Sequence, residues 1–176
     1  AEKKQGSVYD KEDLVDAIWI NRPPLSCTKA WILGEAYAGE STASKMARVR
    51  SKMEEYGADV YILTSLNDIA WLLNLRAGDV EHLPVLLSYL MMTKKGCALY
   101  VQKEAVTPEV ESYLKQNHIS ISGYESIYPM ADTLSGRKVG KVLMDLSKVN
   151  YRIYNAVSAG NEIINRQDPT VIMKAV

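Results

Sequence analysis

Four apolar side chains in a row, Val60-Tyr61-Ile62-Leu63, lead through Thr64-Ser65 into a second apolar stretch over residues 66–73. So short and unbroken a run reads as a strand covered on both faces, whereas Leu66, Ile69, Ala70, Leu72 and Leu73 fit one buried helical face. The same alternation recurs along the chain. Strand-like runs cover 85–92, 97–101, 119–122, 139–144 and 162–164, and helical patterns cover 41–56, 108–116, 124–134 and 148–156. Ser41 suits a helix N-cap, Gly57 a helix stop and Pro108 a first helical turn, while Pro129 is expected to disturb its helix. Thr93-Lys94-Lys95-Gly96 joins two strands as an antiparallel hairpin. The pattern predicts an α/β fold: a mixed, mostly parallel sheet with one antiparallel hairpin and helices on both faces.

Composition narrows the function classes. Lys+Arg and Asp+Glu both total 21, so the chain lacks the basic footprint of a nucleic-acid binder. No apolar run approaches the roughly 18 residues of a membrane span, and no signal peptide opens the sequence, so a soluble, cytoplasmic protein is expected. Cys27 and Cys97 form neither a metal-ligand spacing nor a disulfide framework. Gly34 and Gly39 do not make a phosphate loop, which leaves small-molecule binding resting on fold class alone. Eleven tyrosines and no phenylalanine make the aromatic packing polar-tipped, which calls for hydrogen-bond partners inside.

The chain divides by pattern into three parts. Residues 1–36 read as a tail and connector: a polar start, a helix capped by Asp10 and running to about residue 20, then a break at Pro23-Pro24. Residues 37–165 form the domain, and 166–176 begin a linker helix. Trp19 beside Arg22 either anchors a preceding domain or covers an edge of this one.

Polar residues gather where the second apolar stretch ends: Arg76, Asp79, Glu81 and His82 follow it directly. A rigid element holding a charged loop is a common way to present a site. Plainer roles compete at each position. Asp68, or Asn67, can cap the helix; Arg76 can pair with Asp79 or Glu81; Trp71 sits in the apolar run and belongs in the core. His82 and His118 show no Glu-x-x-His or His-x-x-x-His pattern, and Asp79, Glu81 and His82 read as a hydrogen-bonded loop before a metal site. No serine lies in a nucleophile elbow. Asp59 and Asp145 flank strands instead of lying within them, against a nuclease reading. No catalytic and no metal-ligating residue is assigned.

Ordered motifs carry a resemblance. Asp68-Ile69-Ala70-Trp71-Leu72-Leu73-Asn74-Leu75-Arg76, then Asp79-Val80-Glu81-His82, Pro84 and Ser88-Tyr89, resemble the middle domain of the three-domain Xaa-Pro aminopeptidases of the creatinase/prolidase ("pita-bread") group. Leu14-Val15-Asp16-Ala17-Ile18-Trp19 with Arg22-Pro23-Pro24 is similar to the close of that family's first domain. Tyr37-Ala38-Gly39-Glu40-Ser41, with Lys45 and Val49-Arg50, is similar to the opening of the second, and residues 169–176 to the helix entering the third.

The resemblance implies a creatinase N-terminal-like domain of ribonuclease H-like topology. It implies a parent that removes an N-terminal residue preceding proline, with a dinuclear metal centre, manganese by this likeness, in a catalytic domain beyond Val176 and no cofactor in this segment. Partners implied are the first and catalytic domains and a peptide substrate; a homodimer is compatible, and nucleic acid and membrane are not expected. Asp68, Arg76, Asp79 and His82 would line or brace the substrate cleft, and Trp19 and Arg22 would contact the neighbouring domain. A stand-alone interaction or dimerisation module without peptidase activity is the alternative. The chain departs from the pattern at Ala77, where the family has glycine, and at Leu83, where a polar residue is common. Gly78 is therefore expected to adopt the left-handed conformation that Ala77 would resist.

Overall fold

The computed structural model describes residues 14–174. The expected polar start and the Asp10 cap lie outside the described residues. In chain order the elements are α1 (Leu14–Ile18), β1 (Trp31–Ile32), α2 (Glu35–Ala38), α3 (Thr42–Glu55), β2 (Val60–Leu63), α4 (Leu66–Leu73) and β3 (Leu75–Arg76). They continue as β4 (Ser88–Thr93), β5 (Cys97–Val101), α5 (Pro108–Gln116), β6 (Ile119–Gly123), α6 (Ile127–Arg137), β7 (Lys141–Met144), α7 (Tyr151–Ser158), β8 (Glu162–Asn165) and α8 (Pro169–Lys174).

Six strands form one sheet in the order β6-β5-β4-β2-β7-β8. Only β4 runs against its neighbours; β5–β6, β2–β7 and β7–β8 are parallel. The period-two geometry of strands sorts side chains into two cores. Tyr61, Leu63, Leu90, Leu99 and Leu143 pack beneath α3, α4 and α5. Val60, Ile62, Val142 and Met144 pack beneath α6 and α7. Each fully buried aliphatic side chain contributes about 1.5–3 kcal/mol, so both faces are fixed by burial.

Several expected boundaries shift for local reasons. β4 begins at Ser88, not at Val85, because the Leu87 N–H is taken by the Asp79 carboxylate at 2.8 Å, ahead of the ladder. β7 starts after Gly140, whose φ of 110° breaks the extended run. Pro129 does not disturb α6: it lies in the first turn, where its missing N–H has no intrahelical partner to lose. α7 begins only at Tyr151, capped by the Asn150 side chain, which frees Lys148 to turn inward. Gly160 lets the end of α7 approach α6 so closely that any Cβ there would overlap the Ser135 carbonyl.

The stretch expected to be a connector takes part in pairing. β1 makes a two-stranded antiparallel ladder with β3, setting Trp31 opposite Arg76.

Candidate functional site

Every parallel strand of the sheet ends at the same edge, where open α/β sheets carry their ligand crevices. The connection after β2 goes to α4 on one face, and the connection after β7 goes to α7 on the other. The crevice between these two strand ends is filled by the protein itself. Lys148 Nζ lies 3.0 Å from Asp168 Oδ2, 3.4 Å from Asp68 Oδ2 and 3.7 Å from Asp145 Oδ2. Lys174 of α8 reaches Asp68 Oδ1 at 2.6 Å, and the Tyr61 hydroxyl donates to Asp168 Oδ1 at 2.8 Å. Ser65 donates its hydroxyl to Asp68, and Thr64 donates to the Lys148 carbonyl at 3.1 Å.

Burial shapes the ionisation of this cluster. Burial pushes the Asp168 carboxyl above its ordinary range, more than Lys148 and Tyr61 pull it down. Burial also acts to raise Asp68, but Lys174, Ser65 and Thr170 outweigh it and hold that carboxyl below its usual value. Lys148 is raised on balance, its burial offset by Asp168 and Asp68. Asp68 is 1% exposed and Asp168 2% exposed, so neither carboxylate can touch a substrate from this position. What they hold is α8.

The opposite end of α4 is arranged with reversed sign. Ala70 and Trp71 carry carbonyls of the last helical turn, where backbone donors run out; Trp71 O keeps a long bond from Asn74 N at 3.4 Å. Arg76 Nη1 donates to Ala70 O at 2.6 Å and to Leu75 O at 2.8 Å. Lys45, 1% exposed, donates to Trp71 O at 3.0 Å and to Asn74 Oδ1 at 2.7 Å, with its ammonium 4.6 Å from the centre of the Trp71 ring. Cations at a helix C-terminus complement its dipole. Asn74 closes the helix in the left-handed region at φ 51° and ties it to the Glu40 carbonyl at 2.9 Å. Burial lowers the pKa of both Lys45 and Arg76.

Beyond β3 the loop is pinned by one carboxylate. Asp79 Oδ1 accepts from Thr28 N at 2.7 Å, Thr28 Oγ1 at 2.8 Å and Ser26 Oγ at 3.4 Å, while the Thr28 hydroxyl accepts from Gly78 N at 2.7 Å. At the tip a turn closes with Leu83 N on Val80 O at 3.1 Å. His82 sits there at φ 63° with its side chain 90% exposed, its Nε2 3.5 Å from Glu81 Oε1.

The four residues singled out by sequence thus occupy three settings, and no hydrogen bond or ion pair among the described residues links any two of them. Asp68 is an internal anchor, Arg76 closes a helix, Asp79 fastens the loop to residues 26–28, and His82 projects outward. Arg76 pairs with neither Asp79 nor Glu81. The helix N-cap position falls to Ser65, not Asn67 or Asp68. Neither Ala77 nor Gly78 has a positive φ: Ala77 is buried in the core at 3% exposure, and the left-handed residues fall at Asn74 and His82. Trp71 is partly buried against the core. Trp19 is half exposed, with Arg22 5.7 Å from its ring and Leu14, Ile18 and Ile20 exposed beside it.

Sequence reasoning passed over Lys45, Tyr61, Lys148, Asp168 and Lys174. The usable signal was an acid directly after β7 and another before Pro169, both at the edge where strands end. Among the described residues no three His, Cys, Asp or Glu side chains converge to hold a metal ion, so the donors here do not fit the implied dinuclear centre. No described helix is long and apolar enough to cross a membrane.

This architecture defines an α/β domain whose strand-end crevice is closed by its own ion pairs. The creatinase/prolidase N-terminal domain model matches residues 21–176, and the chain belongs to that family. It is 35% identical over 133 residues to a protein of Podospora anserina named "Probable Xaa-Pro aminopeptidase P", covering 75% of this chain and 20% of that one. A protein of the same name from Penicillium rubens is 31% identical, covering 99% of this chain and 30% of its own length. The chain therefore spans between a fifth and a third of these relatives. The crystal structure of X-prolyl aminopeptidase from Caenorhabditis elegans, described as a cytosolic enzyme with a di-nuclear active site, superposes with a TM-score of 0.82 at 23% identity. That superposition covers 90% of this chain and 27% of that one.

Proposed function

We propose that this chain is a non-catalytic positioning domain, the middle one, of a longer metal-dependent Xaa-Pro aminopeptidase that removes an N-terminal residue preceding proline. The observation that carries this reading is the family match across residues 21–176, together with relatives several times longer whose names specify Xaa-Pro aminopeptidase activity. Residues 1–36 then connect to a first domain, their last part docked on the middle one through β1, 37–165 form the middle one, and α8 leads toward the part holding the two metal ions. Dividing the work this way suits the geometry. The network joining the buried Asp68 and Asp168 to the more exposed Lys148 holds the direction in which α8 leaves, and substrate position is sensitive to small displacements of such supports. Arg76, Asp79 and His82 brace or border the cleft: Asp79 anchors the loop, and the exposed Glu81-His82-Leu83 tip supplies the contact surface. Trp19 and Arg22, with the exposed apolar side chains beside them, meet the first domain.

The test compares the isolated 176-residue chain with the longer polypeptide on an X-Pro peptide in manganese-containing buffer. The isolated chain is expected to give no turnover and the longer one to be active. His82→Ala in the longer protein should raise KM with little change in kcat, as expected for a residue that positions substrate without touching the reacting bond. Turnover by the isolated chain that a chelator abolishes would overturn the division of labour.

A further inference from the structure

α8 is six residues long, well below the length at which a helix stands alone in water. It keeps its form by docking, and one long apolar side chain, Met173, enters the core it shares with α3 and α4. Ile172 points the other way and is 69% exposed. The remaining attachments are ionic and lie at both ends. Asp168, immediately before the helix, meets Lys148 at 3.0 Å and the Tyr61 hydroxyl at 2.8 Å. Lys174, its last residue, meets Asp68 at 2.6 Å. Lys148 and Asp68 are themselves 3.4 Å apart, so Asp168, Lys148, Asp68 and Lys174 form a chain of alternating sign. An acid ahead of the first turn and a base in the last one also complement the helix dipole.

Lifting α8 strands no charge in the part left behind. Asp68 keeps Lys148 and the Ser65 hydroxyl, and Lys148 keeps Asp145 at 3.7 Å. Asp168 and Lys174 pass into water with the helix, and Tyr61 exchanges its carboxylate acceptor for water. A pivot is present as well. Arg166 and Gln167 form an exposed connector after β8, with Arg166 held 4.8 Å from the Tyr56 ring on the fixed side. Pro169 biases Asp168 toward extended backbone whether the helix is docked or free.

We propose that α8 is a two-ended charge clasp that leaves the domain as one unit, losing its helix as it goes, while the six-stranded sheet stays folded. The clasp stands on this chain alone. On the reading proposed above it gives the segment entering the next domain a docked and a released state, and only that consequence rests on the peptidase assignment.

Native-state hydrogen exchange on the 176-residue chain tests the clasp with no peptide present, so its outcome is separate from that of any turnover assay. The amides of residues 171–174 are expected to share one level of protection, at least about a hundredfold below that of β2 and β7. Lys174→Met is expected to lower the α8 protection about tenfold, the loss of one charge-assisted hydrogen bond, and Lys174→Arg to keep most of it. Ile153→Val trims the opposite core, where Ile153 packs with Val142 and Met144. It is expected to lower β7 protection about fivefold and to leave α8 unchanged, because opening the clasp leaves that core intact. A fall at α8 equal to that at β7 in Ile153→Val would mean that α8 opens only with the whole domain, and overturns the proposal. So does protection graded from Lys174 back to Val171, the mark of simple fraying, or α8 protection that Lys174→Met leaves untouched.

Discussion

At its N-terminal end α4 carries Asp68, buried and shared between Lys148 and Lys174; at its C-terminal end Lys45 and Arg76 close on backbone carbonyls. Both ends complement the helix dipole, but their partners come from different distances. Arg76 lies six residues from the carbonyl it caps, whereas Lys148 is eighty residues from Asp68. The kinds of charge differ as well. The N-terminal cluster sets three carboxylates against two ammonium groups, Lys148 being shared among all three and Lys174 held by Asp68 alone among the described residues. The C-terminal cluster sets two cations against neutral oxygens. Removing a cation from the first leaves ionised groups stranded in the interior; removing one from the second leaves only neutral oxygens short of a donor.

The largest expected effect follows from that asymmetry. Lys148→Met leaves Asp68, Asp145 and Asp168 facing one another with Lys174 alone among them, and should cost about 2–4 kcal/mol in urea unfolding. Lys45→Met, a substitution of similar length, should cost about 1–2 kcal/mol, the penalty of orphaned neutral acceptors. If Lys45→Met proved the costlier of the two, the contrast between shared and unshared charge would fail.

The acid cluster also predicts opposite pH dependences for two neighbouring carboxyls. Asp168 has a folded pKa above its unfolded value, so its ionisation works against folding. That penalty is absent below the unfolded pKa and sets in as pH rises through the folded one. Asp68 has a depressed folded pKa. Its contribution is present above the unfolded pKa and is lost as pH falls through the folded one. Asp168→Asn keeps an acceptor for Tyr61, so its stability relative to wild type should improve as pH climbs above roughly 4, near the ordinary carboxylate value. Asp68→Asn should compare worst with wild type at neutral pH and approach it only in stronger acid. Denaturation midpoints from pH 3 to 7 measure both, and parallel slopes would contradict the opposed shifts.

The sequence exposed the part of this arrangement that is periodic. The apolar runs at Val60–Leu63 and Cys97–Val101 gave the strands, and the helical spacing of Leu66, Ile69 and Leu73 gave α4, because burial repeats with a fixed step. The charged partners have no step to repeat. Lys148 read as the opening of a helix, and only Asn150, capping at Tyr151, releases it toward Asp68. Asp168 carries no spacing signal beyond preceding Pro169. Asp68 read as a helix cap or a cleft residue because what covers it, α8, lies a hundred residues further on. Ala77 taught the converse: absence of glycine suggested strain at that position, but its buried methyl group fills core space, and the unusual backbone falls on Asn74 and His82.

His82 gives the smallest effect and the finest test of how loop and helix differ. The helix ends are held by charged side chains, whereas the turn at 80–83 is held by its own backbone hydrogen bond and by Asp79 behind it. A left-handed residue there costs a branched side chain most and glycine least. His82→Val should lose about 1 kcal/mol relative to His82→Gly, and His82→Ala should fall between them. With 90% of the His82 side chain in solvent, nothing beyond backbone preference should contribute to the isolated chain. If His82→Ala instead cost as much as Lys45→Met, the imidazole would be supporting the fold itself and would not be free to meet a substrate or another domain.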